Sequence, residues 1–318
     1  MSEEIFQSFT ITYEALNERE TFSCGDVIIG EISFKLCEEI KVSSIMFDLK
    51  GEANVMWSIG SGKNRRTYSA REEYFKIKEI LLAEDNHGVG DGNTVLQEGT
   101  HVYPFRVQLP QGNFPSSFKG IHGNVVYFLE VQIHRPWRLA KEFRSEFNFV
   151  SDIEANHPQL VMPQTASSTK GLYCLCCVSG PISVGVRLEK KGFIPGEMMK
   201  IIAEFENCSS RTLVPRVKLA QTQTFYTRTR MSKRCETRYL ALIEGKHLMP
   251  HSCDVWDNQM LQVPADTPLT ISNCQIIEVE YSLVVHVSIP RGVDLKATVP
   301  LVICRHCRGN ETAAILNS

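Results

Sequence analysis

Hydrophobic and polar residues alternate along much of this chain with a period of two. From Ile276 to Ile289 every odd-numbered position is apolar or aromatic, whereas most even-numbered positions hold glutamate, serine or histidine. The same alternation runs from Val125 to Ile133. Because successive side chains of a strand point to opposite faces of a sheet, the pattern predicts half-buried β-strands.

Other short apolar or alternating stretches stand between clusters of glycine, proline, asparagine and serine, and they predict further strands. Only Tyr68–Phe75 is expected to form a short helix or a turn, and no segment has the sustained apolar stripe of a longer helix. Many short strands predict an all-β chain of sandwiches or barrels. The additional strands are predicted at Ser8–Tyr13, Val27–Leu36, Ser44–Trp57, Tyr74–Leu82, His101–Leu109, Glu146–Phe149, Ile182–Leu188, Met199–Glu206, Val214–Thr227 and Arg238–Ile243.

Two parts of the chain carry the same residue types at the same spacing, which indicates an internal repeat. Phe22 is followed by a glycine three positions on, an acid four on and a phenylalanine twelve on, and Phe193 is followed in the same way. Pro110 precedes a tyrosine by 17 residues and a proline by 26, as Pro264 also does. The repeat predicts two related β-sandwich domains in tandem.

The repeat also sets the expected domain boundaries. Residues 1–152 and 170–308 are predicted to form the two sandwiches, with 309–318 as a short tail. Residues 153–169 have the Pro/Ser/Thr composition of an extended linker. The two matches have offsets of 171 and 154, so the first copy has 17 more residues, which we assign to glycine-rich loops.

Charge is distributed unevenly over the 318 residues. The total of 34 Lys+Arg against 36 Asp+Glu gives a net charge of -2, which argues against a dedicated nucleic-acid binder. Residues 1–155 carry 16 basic and 23 acidic side chains, whereas residues 156–318 carry 18 and 13. The surface field of the protein is therefore not uniform.

The positive excess is concentrated in Arg211–Arg238, which holds eight basic residues against one glutamate. The strand pattern places Arg228–Arg234 at a hairpin tip, where guanidinium groups can bind phosphorylated tails or anionic lipid headgroups. A solvated hairpin without a partner is the alternative. The candidate phosphate- or membrane-binding residues are Arg228, Arg230, Lys233, Arg234 and Arg238, and a weaker basic loop in the first copy contains Lys63, Arg65, Arg66 and Arg71.

The residues give no sign of catalytic or cofactor chemistry. Gly60-Ser-Gly62-Lys63 lacks the first glycine of a phosphate-binding loop and the hydroxyl residue after the lysine. We therefore expect neither an enzyme nor a cofactor. The 11 cysteines are expected to be free thiols of a cytoplasmic chain, because the amino terminus has no signal peptide. Two clusters, Cys174–Cys177 and Cys304–Cys307, leave metal binding or acylation as open alternatives.

Several motifs resemble those of the alpha-arrestins, the arrestin domain-containing family. They are Ser117–Gly120 with His134–Trp137, Ser179–Ser183 with Lys191–Glu197, and Asn273–Ile277 with Pro300–Ile303. The resemblance covers nearly the whole chain, from about Phe9 to Ile303. It implies two immunoglobulin-like sandwiches, in agreement with the independent repeat.

Family members are non-enzymatic adaptors, so the resemblance implies binding to cytoplasmic tails of membrane receptors or transporters. It implies a role in endocytosis and protein transport, with recruitment from the cytoplasm to the plasma membrane and endosomes. Such adaptors recruit HECT-type ubiquitin ligases through Pro-Pro-x-Tyr motifs. This sequence has no Pro-Pro dipeptide, so recruitment of a ligase is expected to be indirect at most.

Two alternatives remain within the same fold. Cys253 precedes Trp256 in a segment that resembles one carrying a redox-active cysteine in a family member, which suggests a thiol-dependent thioredoxin-binding regulator. The nearby cation candidate is His251. The other alternative is a structural sorting subunit of the retromer type.

Overall fold

The structure is a computed structural model that describes residues 5–83, 94–151, 157–174, 177–290 and 292–305. It divides into two compact units. The first comprises Met1–Asp152 with two short later segments, Tyr226–Ser232 and Asn273–Ile276. The second unit comprises Ile153–Phe225, Lys233–Ser272 and Ile277–Ser318.

Strands in the first unit form two main sheets and one small one. One sheet has the order β1-β3-β8, the other has the order β2-β11-β10-β5-β6 with β9 also paired to β10, and β4 pairs with β7. A single 3-10 turn, Gly62–Asn64, connects β5 to β6. The strands are β1 (Phe6–Tyr13), β2 (Thr21–Phe22), β3 (Val27–Leu36), β4 (Ile40–Val42), β5 (Ser44–Ile59), β6 (Arg66–Leu82), β7 (Thr94–Leu96), β8 (Gly99–Gln108), β9 (Phe118–Lys119), β10 (Gly123–His134) and β11 (Lys141–Phe149).

The second unit repeats this plan. Its sheets have the orders β12-β13-β15-β18 and β14-β20-β19-β16-β17, and the latter matches β2-β11-β10-β5-β6 strand for strand. The all-β prediction of two tandem sandwiches is confirmed. The strands are β12 (Gln164–Cys174), β13 (Cys177–Leu188), β14 (Gly192–Phe193), β15 (Met198–Asn207), β16 (Val214–Tyr226), β17 (Lys233–Glu244), β18 (Ser252–Gln262), β19 (Ile277–Ser288) and β20 (Leu295–Ile303).

The repeated motifs have the same function in both units: they close a turn. The carboxylate of Asp26 accepts a hydrogen bond from the Ser23 N–H at 2.8 Å, and that of Glu197 accepts one from the Ile194 N–H at 2.9 Å. The glycine before each acid has a positive φ, 80° at Gly25 and 88° at Gly196. Glycine adopts that conformation without steric penalty, which explains its recurrence at this position.

The repeated tyrosines close each sandwich from inside. The hydroxyl of Tyr127 donates to the carbonyl of Pro115, and that of Tyr281 donates to the carbonyl of Pro268, both at 2.6 Å. Burial raises the pKa of both phenols. Both therefore remain protonated donors at neutral pH, as a buried carbonyl requires.

Two local expectations need correction. Tyr68–Phe75 is neither helix nor turn but part of β6, which pairs along its length with the buried strand β5. Tertiary pairing outweighs the local preference of its charged residues. Residues 164–169 of the expected linker lie in β12, hydrogen-bonded to β13. The strand β18 was not predicted, because its exposed face carries both polar and apolar residues.

Candidate anion-binding groove

The tip of the basic hairpin between β16 and β17 is a tight turn. The Arg230 N–H donates to the Thr227 carbonyl at 2.7 Å, and the Thr227 N–H donates to the Ser232 carbonyl at 3.0 Å. Arg230 adopts a positive φ of 56°, and its guanidinium lies 3.9 Å from the centre of the Tyr226 ring. These contacts fix the backbone from which Arg228 projects.

Arg228 lines an open groove of about 930 Å³ on the outer face of the β10-β5-β6 sheet. The face is set by register, because Asn124 stands opposite Asn54, which in turn stands opposite Arg71. Directly paired residues of neighbouring strands point to the same side of a sheet. The groove is lined by Asn54, Val55, Met56, Ser69, Ala70, Arg71, Lys119, Gly120, His122, Gly123, Asn124 and Arg228, all of which belong to the first unit.

The lining of the groove is positive. Arg71, Lys119 and Arg228 are cations, and no carboxylate is found among the described residues that line it. Low-dielectric walls around a cluster of charges of one sign concentrate the field, which favours counter-ions in the groove. Met56, two-thirds exposed, adds an apolar surface beside the cations. The combination suits an anionic ligand with some apolar character.

Two of the cations are held in place by carboxylates from outside the lining. A nitrogen of Arg71 donates to Glu52, a nearly buried residue of β5, which also accepts a bond from the Asn54 amide at 2.9 Å. Lys119 lies 3.6 Å from Glu146. Most of the Arg71 and Lys119 side chains remains exposed. A guanidinium anchored at one nitrogen keeps donors for a ligand.

A neighbouring group of charges on the same face is already neutralised. Lys50 bonds to Glu130 and lies 3.2 Å from Asp48, which is also 3.3 Å from Lys76. Burial acts to lower the pKa of Lys50, but its bonds to the two carboxylates outweigh burial and raise it. The ammonium of Lys50 is therefore charged, and its partners are the carboxylates of Glu130 and Asp48. This network stabilises the sheet face, whereas Arg71 and Lys119 of the groove remain mostly exposed beside their carboxylate partners.

The structure separates the residues that were predicted as one basic cluster. Arg228 and Arg230 lie in the first unit, whereas Lys233, Arg234 and Arg238 lie on β17 in the second. Arg234 bonds to Glu236 on its own strand at 2.7 Å, and Arg238 donates to Gln221 at 2.6 Å. Of the five, Arg228 alone lines the groove.

The weaker basic loop is also divided. Lys63 belongs to the exposed 3-10 turn, and Arg65 and Arg66 follow it. Arg71, eight residues beyond Lys63, lies in the groove together with Arg228. Sequence reasoning did not single out Lys119, His122 or Met56, because each stands in a stretch without a charge cluster. Strand register alone brings them to Arg71.

The candidate redox thiol Cys253 is exposed on β18. The residue directly across the sheet is Glu206 of β15, whose carboxylate accepts bonds from Ser183 at 2.9 Å and Cys208 at 3.5 Å. Reactive thiols usually have a cation as a neighbour. The neighbour of Cys253 across the sheet is therefore a carboxylate, whereas the groups that activate thiols are cations.

The two cysteine clusters fall partly outside the described residues, which omit Cys176, His306 and Cys307. Within the described ranges there is no group of three or more His, Cys, Asp or Glu side chains placed to hold a metal ion. No helix in that part of the chain is long and apolar enough to cross a bilayer. The expected tail, 309–318, also lies outside the described residues.

Comparison with known families identifies both halves of the chain. The arrestin (or S-antigen) N-terminal domain matches residues 9–156, and the C-terminal domain of the same family matches residues 178–306. The chain is an alpha-arrestin. Its resemblance to that family is thus confirmed, and with it the arrestin fold.

Individual relatives place this alpha-arrestin among the arrestin domain-containing proteins. Arrestin domain-containing protein 4 of Mus musculus is 34% identical over 289 residues, which is 89% of this chain and 68% of the relative. The same protein of Homo sapiens is 32% identical over 286 residues. Thioredoxin-interacting protein of Homo sapiens is 30% identical over 298 residues, covering 93% of this chain and 74% of the relative. The fold and the relatives support an arrestin-like adaptor.

Proposed function

We propose that this alpha-arrestin is an adaptor that binds phosphorylated or acidic cytoplasmic segments of membrane receptors and transporters. The observation that carries the proposal is the groove in which Arg71, Lys119 and Arg228 converge, with no carboxylate among the described residues that line it. Family membership supplies the class of protein, and the groove supplies the chemistry of the ligand. The proposal assigns no catalysis to the chain.

The groove can recognise a phosphorylated segment through charge-assisted hydrogen bonds. An arginine can donate two parallel bonds to phosphate oxygens, and such bonds are about twice as strong as those between neutral groups. Arg71 and Arg228 supply two guanidinium groups, and the Lys119 ammonium supplies a third positive charge. The amides of Asn54 and Asn124 can bond to the backbone of an extended segment. Met56 gives a contact for one apolar side chain.

A titration with paired fluorescent peptides tests this proposal. One peptide carries three phosphoserines in a serine-glycine background, and its partner carries three serines. We expect the full chain to bind the phosphorylated peptide more tightly. Arg228→Ala should weaken that binding about tenfold, since each lost charge-assisted bond corresponds to roughly 1.5 kcal/mol.

Lys233→Ala is the matched control, because Lys233 belongs to the same predicted cluster but not to the groove. It should leave the affinity within about twofold, as expected for a distant surface charge. Equal losses for Arg228→Ala and Lys233→Ala would mean that net charge, rather than the groove, determines binding. Equal affinity for the two peptides would overturn recognition of phosphate.

The cellular part of the proposal is recruitment of the adaptor from the cytoplasm to the plasma membrane and endosomes, where it supports endocytic sorting of its cargo. A connection with ubiquitination would run through a HECT-type ligase held by another protein, because the 318 residues carry no Pro-Pro dipeptide. Co-precipitation of the ligase should then depend on a third component. Direct binding of purified ligase to the purified chain would contradict that route.

A second candidate is capture of oxidised thioredoxin by thiol–disulfide exchange, in which the Cys253 thiolate attacks the thioredoxin disulfide, forms the mixed disulfide and releases the second thioredoxin sulfur as a thiol. One observation is in its favour: Cys253 is an exposed thiol. A pull-down under non-reducing conditions with wild type and Cys253→Ser decides it. The redox function requires that capture be lost in the variant and that reductant release thioredoxin from the wild type. Unchanged capture by the variant would remove Cys253 from the mechanism.

A further inference from the structure

The connection between β10 and β11 exposes two large apolar side chains. Trp137 is fully exposed, and Leu139 is 92% exposed. The other two tryptophans of the chain, Trp57 and Trp256, are only 4% and 6% exposed. Tryptophan is enriched at protein interfaces and at the membrane interface, so a fully exposed indole marks a candidate contact surface.

The backbone of this tip holds the indole outward. The Arg138 N–H donates to the Arg135 carbonyl at 3.4 Å, with Pro136 and Trp137 between them. Trp137 has a positive φ of 57°. That position of a turn normally holds glycine or asparagine, since a bulky residue is strained there. The turn thus keeps a disfavoured residue where a smaller one would fit better.

The tip is also basic. Between Arg135 and Lys141 there are three cations and no acid. Arg135 is half-buried over the Phe6 ring, and its Nε has no hydrogen-bond partner among the described residues. Burial and the nearby Arg138 lower the pKa of Arg135. An anion between the two guanidinium groups would relieve both the repulsion and the unmet bond.

A depression of about 260 Å³ lies beside these groups. Arg135, Arg138 and Lys41 contribute cations to its lining, and Glu38 and Glu39 contribute carboxylates. The depression can accept a lipid phosphate on its basic side. The two acids reduce the local excess of positive charge, so the attraction to an anionic surface is modest and must be combined with apolar contact.

We propose that the tip Arg135–Lys141 inserts into the interface of an anionic bilayer, with Trp137 and Leu139 at the boundary of headgroups and acyl chains and the basic residues on lipid phosphates. Tryptophan is enriched at that depth because its ring is apolar and its N–H is polar. Basic residues near an anionic leaflet add electrostatic attraction. A single shallow insertion gives weak, reversible binding, as suits a peripheral protein.

The equivalent hairpin of the second unit has Arg291 in place of Trp137 and supplies the control. An offset of 154 residues aligns Pro136 with Pro290 and Leu139 with Val293. Val293 is 76% exposed, but an acid follows it: the Asp294 carboxylate accepts a bond from the Ile289 N–H at 3.0 Å and lies 2.7 Å from His286. A carboxylate at the tip opposes contact with an anionic surface.

Tryptophan fluorescence of the full chain tests the proposal directly, because only Trp137 is accessible to lipid. Vesicles of phosphatidylcholine alone are compared with vesicles that also contain phosphatidylserine, at low and high salt. We expect a blue shift and quenching by brominated acyl chains with the anionic vesicles, both reduced at high salt. Trp137→Asn should abolish the shift, and Leu139→Ser should weaken co-sedimentation about tenfold.

Val293→Ser should leave co-sedimentation unchanged, and Arg138→Glu should remove the preference for anionic lipid. Thermal denaturation of each variant shows that it is folded. The proposal is overturned if brominated lipid does not quench wild-type fluorescence, or if Trp137→Asn and Leu139→Ser sediment like the wild type. It is also overturned if Arg71→Ala with Arg228→Ala abolishes sedimentation while Trp137→Asn does not, because the groove would then be the lipid contact.

Discussion

The two sandwiches use the same tyrosine in different surroundings. Tyr127 lies among aromatic rings, with centroids 4.4 Å from Phe149 and 5.9 Å from Phe75. Tyr281 instead accepts a hydrogen bond from Gln221 at 2.5 Å. Yet both donate to a proline carbonyl at the same distance. The bond from the tyrosine to the proline carbonyl is thus common to both sandwiches, while the residues around the tyrosine differ.

The surroundings of the two tyrosines differ because the residue paired with each of them on the neighbouring strand differs. Gly51 of β5 stands opposite Tyr127, whereas Gln221 of β16 stands opposite Tyr281. A Cβ at Gly51 would lie 2.6 Å from the Tyr127 ring and 2.9 Å from the Phe75 ring. Glycine leaves room for the aromatic cluster. Glutamine fills the same space with a polar network that includes Gln223 and Arg238.

The largest expected effect is that of Gly51→Val. The added side chain would overlap the fully buried Tyr127 ring, so we expect a loss of about 3 kcal/mol in the free energy of unfolding, at the upper end of overpacking effects. Chemical denaturation measures it. Gly185→Val, on β13, is the control, since no atom lies within 4 Å of its Cβ position. A Gly51 variant as stable as the control would show that the aromatic cluster accommodates the added side chain.

The two tyrosine hydroxyls should differ in their contribution to stability. Tyr127→Phe leaves the Pro115 carbonyl without its donor, which should lower the free energy of unfolding by about 1–2 kcal/mol. Tyr281→Phe leaves both the Pro268 carbonyl and the Gln221 amide unsatisfied, so we expect about 1 kcal/mol more. Paired denaturation curves decide the order, and a larger loss for Tyr127→Phe would contradict this comparison.

Asp294→Asn tests the second hairpin by its pH dependence. The Ile289 N–H, together with His286, holds the pKa of Asp294 below its usual value. The carboxylate therefore stabilises the fold above its unfolded pKa of about 3.9, and that stabilisation is lost as the pH falls through the folded pKa. We expect the variant to be less stable at pH 7 by under about 1 kcal/mol, because the group is partly exposed. A difference that persists well below pH 3 would contradict this cause.

Trp137→Asn should have the smallest effect, with the opposite sign. Asparagine tolerates the positive φ at this position, and the exposed indole makes no packing contact that would be lost. We expect the stability to be unchanged or raised by up to about 1 kcal/mol. Thermal denaturation in the absence of lipid measures it. A clear loss of stability would mean that the indole contributes to the fold of the monomer.

The sequence predicted the two-sandwich fold better than it predicted the residues of the groove. Alternation and the repeat around Phe22 and Phe193 were sufficient for two sandwiches, because strand period and turn chemistry are local. Arg228 was found as part of a charge cluster. That Arg71 and Lys119 join it, while Lys233 does not, depends on strand register and on which unit each residue belongs to. Such long-range pairing leaves no pattern within one segment.

Trp137 was missed for a related reason. From a single sequence, an aromatic residue after a proline is equally consistent with a buried and with an exposed position. Its exposure follows from the length of β10 and β11 and from the turn at Arg135–Arg138, which project it beyond the sheet. The signal available in the sequence was the grouping of Trp137 and Leu139 with three basic residues.

The most direct test of the adaptor function is proximity labelling in living cells with wild type and the double variant Arg71→Ala, Arg228→Ala. Quantitative comparison of the labelled proteins should show membrane receptors or transporters near the wild type and their loss from the variant. Lys233→Ala with Arg234→Ala is the matched control and should keep them. A set of labelled membrane proteins that is the same for all three chains would contradict the claim that the groove binds cargo.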